Sequence, residues 1–241
     1  TLFVVFSKQL FQHTQKAADH ALRRKFLKKF TRFLLSSPKK EITLYLQPFI
    51  DMANSSEGLA DLFSEFILAE ETVNQYEAFW VIWNAFYEKI VEIAKKSCNY
   101  HHTKTILRNY LLAWPWREGD TEWHSVKERE KFFFSKAAND MGHCPTVLYS
   151  LAKVLNDIAS SYLEDGIGWI SRIIEQNQSL LTEELDTNTI YYMESLVRRH
   201  ISKNRLTLRT TPRIKKQVIT ILNFLVEIGS TTGYWLRDDI L

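Results

Sequence analysis

Apolar residues recur at intervals of three and four along much of the chain, which is the period of an α-helix. The run over 76–94 shows this most strongly, because two apolar stripes lie side by side on the predicted helix. A helix that is apolar over so wide an arc must be covered by neighbours on more than one side. We therefore expect Trp80 and Trp83 to be largely buried, on different sides of one continuous helix. The narrow face that remains carries the acidic residues Glu77, Glu88 and Glu92.

Local start and stop signals divide the second half of the chain into several helices. Helices are predicted to begin near residues 125, 145, 166, 187 and 212; the signals include a capping box at Ser125 and Glu128 and the prolines Pro145 and Pro212. The predicted ends are Gly142, as a left-handed residue that closes a helix, the pair Asp165-Gly166, and Gly229.

The spacing of these starts predicts the fold class. Successive helices begin about 20–25 residues apart, so that antiparallel pairs would recur every 41–46 residues or so, as in HEAT and armadillo repeats. With only 7 glycines and 5 prolines in 241 residues, the chain is also poor in the residues that turn-rich β architectures need. We predict an all-α fold, built as an α-solenoid of HEAT-like antiparallel helix pairs, with an irregular helical bundle as the alternative.

The chain is predicted to have two helical parts joined by one loop. Residues 1–113 form the N-terminal part, 114–124 the connecting loop, and 125–241 the C-terminal helical repeats. The loop and its border carry three tryptophans, which could fill a gap in the helical stack, stack on nucleic-acid bases, or anchor a protein interface. The predicted protein-interface residues are Trp114, Trp116 and Trp123.

Charge is unevenly distributed although the formal net charge is only +3. Residues 1–40 hold ten Lys/Arg residues and one acid, whereas 41–94 hold ten acids and one lysine. The basic face of the first predicted helix could contact phosphates, a protein partner or an anionic bilayer, or it could be a solvated face or pair with the acidic block of the same chain. A second basic tract near residue 200 could also contact phosphates. The candidate nucleic-acid-binding or partner-binding residues are Lys25, Lys28, Lys29, Arg32, Arg198, Arg199, Lys203, Arg205 and Arg209.

One set of residues could bind a metal ion. Cys98 and His101 form one close pair of ligand-type residues, and His143 and Cys144 form another, which is the donor set that tetrahedral zinc requires. The alternative is structural: the histidine lies near a helix end, where it complements the dipole, and Cys144 is a small buried residue at a cap. We predict no cofactor, and the zinc site remains as the alternative.

The sequence contains none of the common catalytic signatures. It has no G-x-x-x-x-G-K-[ST] loop, no G-x-G-x-x-G, no G-x-S-x-G and no H-E-x-x-H. His124, close to Asp120 and Glu122, is the one acid–base candidate, and no nucleophile lies near it in the sequence. We therefore predict that this chain is not an enzyme.

Three segments carry a resemblance to a known group of proteins: Tyr110–Trp116, Glu122–Glu130 and Thr187–Arg198. Over about 75–241 the chain resembles the helical C-terminal region of large bacterial NACHT/STAND-type ATPases and related anti-phage defence proteins. The resemblance implies a scaffold or sensor segment that follows an ATPase or effector domain. It implies no catalytic residue.

These observations lead to two predicted functions. The first is a non-catalytic helical scaffold or sensor module that recognises a protein partner, or other domains of its own chain, within a larger bacterial defence-type protein. The second is a helical domain that binds nucleic acid through its basic tracts. The chain starts at Thr1 without methionine, which favours a piece of a longer protein. Two cysteines, no signal-peptide pattern and no apolar run of membrane-spanning length favour the cytoplasm.

Overall fold

The computed structural model describes residues 20–53, 76–112, 128–185 and 187–240, together with positions 5 and 9. Within these ranges we find ten α-helices and no strand, which confirms the predicted all-α class. The chain divides into two compact units, Thr1–Arg117 and Glu118–Leu241. The boundary between them falls inside the predicted 114–124 loop, whose residues lie outside the described ranges. The arrangement of HEAT-like pairs stays a prediction.

The first unit contains five described helices. They are α1 (His20–Ser36), α2 (Lys39–Met52), α3 (Tyr76–Ala85), α4 (Tyr87–Ser97) and α5 (His101–Leu112). Helix α2 packs against both α1 and α3, and α4 packs against α3 and α5. The α1–α2 core forms around Phe30, whose ring centroid lies 4.4 Å from that of Phe49. Phe26 and Phe30 are buried on one face of α1, as its amphipathic pattern predicts.

The predicted helix over 76–94 is interrupted at one residue. Phe86 separates α3 from α4, and its backbone N–H bonds to the carbonyl of Trp83, three rather than four residues back, at 3.2 Å. The prediction of one continuous helix is therefore wrong, although both apolar stripes are buried around the break. Glu88 and Glu92 lie on the exposed side of α4, as expected, whereas the side chain of Glu77 is outside the described set.

The two tryptophans of α3 differ in burial. Both are largely buried, as predicted, but Trp83 is 0% exposed whereas Trp80 is partly exposed. The reason is the position of α5: the ring of Tyr110 stacks on Trp83 at 4.8 Å between centroids. Two hydrogen bonds join the same pair, from the Trp83 indole N–H to the Tyr110 carbonyl (3.0 Å) and from the Tyr110 hydroxyl to the Trp83 carbonyl (3.1 Å). Burial raises the pKa of Tyr110 well above its ordinary value, which keeps this hydroxyl a donor.

The second unit also contains five described helices. They are α6 (Glu128–Met141), α7 (Pro145–Glu184), α8 (Thr187–Thr210), α9 (Pro212–Glu227) and α10 (Thr231–Ile240). Helix α7 packs against α6, α8 and α9, and α10 packs against α8 and α9. The predicted starts at 145, 187 and 212 coincide with the observed ones, and α6 begins at Glu128, whose capping partner Ser125 lies outside the described residues.

Helix α7 bends at Tyr162 rather than at the predicted Asp165-Gly166 break. Tyr162 has non-helical backbone angles (φ −131°, ψ 25°), and a second departure occurs at Asn177 (φ −140°, ψ 28°). Gly166 instead allows close packing, because a Cβ at this position would lie 2.7 Å from Leu155 Cδ2. Residues 155 and 166 would be about 16 Å apart along a straight helix. The bend at Tyr162 therefore brings the two parts of α7 together.

The two glycines predicted to end helices do so for different reasons. Gly229 has φ 84°, and behind it Ser230 N–H bonds to Leu225 O (2.9 Å) while Gly229 N–H bonds to Val226 O (3.0 Å), the two bonds of a Schellman motif. Gly142 follows the end of α6 but, unlike Gly229, does not adopt positive φ, so its predicted left-handed conformation is wrong. It is a position of close packing, where a Cβ would lie 3.0 Å from Ile173 Cγ1.

Candidate functional site

The predicted basic face of α1 is exposed from Lys25 to Arg32. Phe26 and Phe30 lie on the buried side of the helix, and Thr31 is also buried, with its hydroxyl bonded to Leu27 O at 2.9 Å. The exposed cationic side chains are Lys25, Lys28, Lys29 and Arg32. Hence the structure brings these four predicted residues together on one face of the first unit.

The second basic tract lies on α8 of the other unit. Arg198, Lys203 and Arg205 are exposed, whereas the side chain of Arg209 is outside the described set. Arg199 is also exposed, but its guanidinium donates to the Asn156 carbonyl of α7. The role of Arg199 is therefore partly structural, since it ties α8 to α7.

The residues of the predicted zinc set are distributed over both units. Cys98 is half-buried after the end of α4, and His101 is exposed at the start of α5. In the second unit His143 is half-buried, and Cys144 is buried as the N-cap of α7, directly before Pro145. The cap position of Cys144 agrees with its structural interpretation, and zinc binding stays the alternative to the prediction of no cofactor.

The remaining candidates fall outside the described residues. These are the interface tryptophans Trp114, Trp116 and Trp123 and the acid–base candidate His124. Their predicted roles stay predictions.

A surface that the sequence analysis missed lies on α10. Tyr234 is 47% exposed and Trp235 is 72% exposed, and their rings meet edge to face with centroids 6.2 Å apart. The Arg237 guanidinium lies 5.4 Å from the centroid of the Tyr234 ring, within cation–π distance. We call these three residues the α10 aromatic surface. A sequence signal existed: three consecutive apolar residues, Tyr234 to Leu236, cannot all face the core from one short helix.

The orientation of α10 is set at its N-terminus. Ser230 Oγ accepts a hydrogen bond from Gly233 N–H at 2.8 Å, which caps the helix, and the same hydroxyl donates to the Glu194 carboxylate of α8. Gly233 packs closely on α9, since a Cβ there would lie 2.6 Å from Leu225 Cβ. With Gly233 facing α9, the next two side chains point away from the core. Their exposure thus follows from how α10 is anchored.

Other exposed apolar side chains occur in the second unit. On α8 they are Tyr191 and Leu206, which are 63% and 74% exposed. On α6, Phe132 is 69% exposed. In contrast with these, Trp235 has a second exposed ring beside it, that of Tyr234, over which the Arg237 guanidinium lies.

Within the described ranges, no helix combines the length and apolar character that crossing a bilayer requires. A comparison of the sequence with protein-family models gives no match, and a comparison with curated proteins gives none either.

Proposed function

We propose that this chain is a non-catalytic helical module that recognises a partner protein through the α10 aromatic surface. The observation that carries the proposal is the exposure of Trp235 beside Tyr234 and Arg237. Tryptophan, tyrosine and arginine are the residue types most enriched among the few side chains that dominate binding energy at protein interfaces. Large rings left in water on a capped helix are costly unless something covers them.

The setting of this module is a further part of the proposal. We place it in the bacterial cytoplasm, as the scaffold or sensor segment of a larger defence-type protein, with its helices stacked as HEAT-like pairs. The support is the resemblance of the three segments, above all Thr187–Arg198, which forms the first half of α8. The absence of phosphate-binding and nucleophile motifs from the sequence supports a binding role rather than catalysis.

Site-specific photo-crosslinking tests the proposed surface. A photo-activated side chain in place of Trp235 should give a discrete crosslinked product with one protein in cells, and Arg237→Ala should reduce its yield. Phe132 provides a matched control, because it has nearly the same exposure (69% against 72%) on α6 of the same unit. Absence of a product at position 235, or equal products at both positions, would contradict the proposal.

Nucleic-acid binding is the second candidate function, and the basic face of α1 favours it. Four exposed cations on one helix face suit the regularly spaced phosphates of a nucleic-acid backbone. Binding of this kind releases condensed counterions, so that the logarithm of the affinity falls with the logarithm of salt concentration by about 0.9 per phosphate contacted.

A charge-matched pair of variants tests this second function. The double variant Lys28→Gln/Lys29→Gln should weaken binding to a labelled DNA duplex and reduce the salt slope by about 2. The control is Lys95→Gln/Lys96→Gln, which removes two adjacent exposed lysines from α4 of the same unit. Fluorescence anisotropy across a salt series provides the measurement. An affinity that does not change with salt, or an equal loss in the control, would exclude this role for α1.

A further inference from the structure

One titratable side chain of the second unit is enclosed in the protein core. His200 of α8 is 0% exposed. Leu196 and Val197, four and three residues before it on the same helix, are also buried. Its Nδ1 lies 3.2 Å from the side-chain amide nitrogen of Asn204. Its Nε2 is also buried, and among the described residues no hydrogen-bond partner reaches it. An unpaired polar atom at this depth is rare in folded proteins and calls for an explanation.

The orientation of the Asn204 amide goes with one tautomer of the ring. With the amide NH₂ group facing it, Nδ1 of His200 accepts the hydrogen bond, and the single proton of the neutral ring is then on Nε2. A second proton would go to Nδ1 and would face the amide N–H group of Asn204 at 3.2 Å, donor against donor. It would also place a full charge in the core while the Nε2 N–H remains unpaired.

Few charged groups offset the free-energy cost of protonating the buried His200 ring. From α7 the carboxylate of Glu164 favours the protonated ring, but burial outweighs it and holds the pKa of His200 below its ordinary value. On α8 itself, Arg199 is bound to Asn156 O. Among the described residues, Glu164 is the charged group that acts on the pKa of His200.

Asn204, the hydrogen-bond partner of His200, lies where the helical geometry of α8 is interrupted. Asn204 has non-helical backbone angles (φ −126°, ψ 29°) inside α8. To accept a proton from Nδ1, the Asn204 amide would have to turn over and present its oxygen. The backbone departs from helical geometry at this residue, so the segment 204–210 is separated from His200 by an interruption of the helix.

We propose that His200 is an acid-sensitive latch: when its imidazole takes up a proton, the Asn204 contact is lost and the α8 segment 204–210 loosens. The direction of the effect follows from linkage. The open form binds the proton more tightly than the closed form, so the latch is closed above about pH 6.5 and weakens as the pH falls below that value. This proposal is independent of the partner-binding role of α10.

Hydrogen–deuterium exchange of the full chain tests the latch. After correction for the intrinsic effect of pH on exchange, protection of the amides over 204–210 should fall about tenfold between pH 7.5 and pH 5.5. In His200→Gln, which cannot take up a proton, that fall should disappear. His102→Gln, which removes a half-buried imidazole outside the predicted zinc set, should behave like the wild type.

Two results would overturn the proposal. One is equal protection of the 204–210 amides at both pH values in the wild type. The other is a loss of protection at pH 5.5 in His200→Gln that is as large as the loss in the wild type. If His200→Gln does not fold, the wild-type imidazole is titrated by NMR instead. A midpoint below 6.5 that coincides with the loss of protection supports the latch, and any other midpoint overturns it.

Discussion

Replacing Trp83 with alanine should lower the free energy of unfolding of the first unit by about 3–5 kcal/mol. The side chain is fully buried, so the variant loses both the transfer free energy of the indole and the packing around the cavity that it leaves. It also loses the stacking on Tyr110 and the hydrogen bond from the indole N–H to the Tyr110 carbonyl. The reverse hydrogen bond, from the Tyr110 hydroxyl, ends on the backbone of residue 83 and remains available.

Trp80→Ala is the matched control for this experiment. It removes the same side chain from the same helix, and its ring lies 5.3 Å from that of Trp83, but it is only half-buried. Urea unfolding followed by circular dichroism should show less than half of the Trp83→Ala effect. A loss as large as that of Trp83→Ala would mean that α5 is not what stabilises α3. Native-like stability of Trp83→Ala would contradict the core described for this unit.

Gly142→Ala should destabilise the second unit by about 3 kcal/mol, the upper part of the range for overpacked cores. The new methyl group would lie 2.2 Å from the backbone oxygen of Ala138 and 3.0 Å from Ile173 Cγ1. The Ala138 oxygen belongs to the last turn of α6 itself, so the backbone around residue 142 must change, and the contact with Ile173 of α7 must widen as well. That movement also disturbs the hydrogen bond from the Asn177 side chain to Gly142 O (3.1 Å).

Gly168→Ala supplies a control of opposite sign. The nearest atoms to a Cβ at this position belong to the flexible amide end of Gln217, 3.3 Å away. Alanine is favoured over glycine in a helix interior by about 1 kcal/mol, so this variant should be as stable as the wild type or slightly more stable. Thermal unfolding of both variants provides the test. If the unfolding temperature of Gly142→Ala is equal to or higher than that of Gly168→Ala, α6 and α7 are not in close contact at residue 142.

Local chemistry was enough to predict the all-α class and several helix limits. Pro145 and Pro212 begin helices because a proline ring fixes φ at a helical value and the missing N–H would have no partner in the first turn. Gly229 ends α9 because it adopts a left-handed conformation that other residues rarely reach. The amphipathic period likewise predicted which side of α1 is buried and which side presents its lysines.

The candidate site depended on tertiary structure, and the sequence missed its main part. The α10 aromatic surface is exposed because Ser230 and Gly233 hold α10 against α8 and α9, and no periodicity within ten residues reveals that anchoring. The basic face of α1 was predicted because charged side chains seek water in almost any packing. No comparable rule predicts whether an aromatic ring is exposed, since its burial depends on the residues that pack next to it.

Sequence by itself determined those features of this protein whose physics is local: helix starts, one left-handed cap, the amphipathic faces and the charge blocks. Tertiary structure alone decided that α7 bends at Tyr162, that Gly142 and Gly166 serve close packing, and that Trp83 is fully covered while Trp80 is covered only in part. The reason is that each of these outcomes is set by contacts between residues distant in the chain. Trp83 is covered by Tyr110, 27 positions later, and the sequence around Trp83 contains no information about that partner.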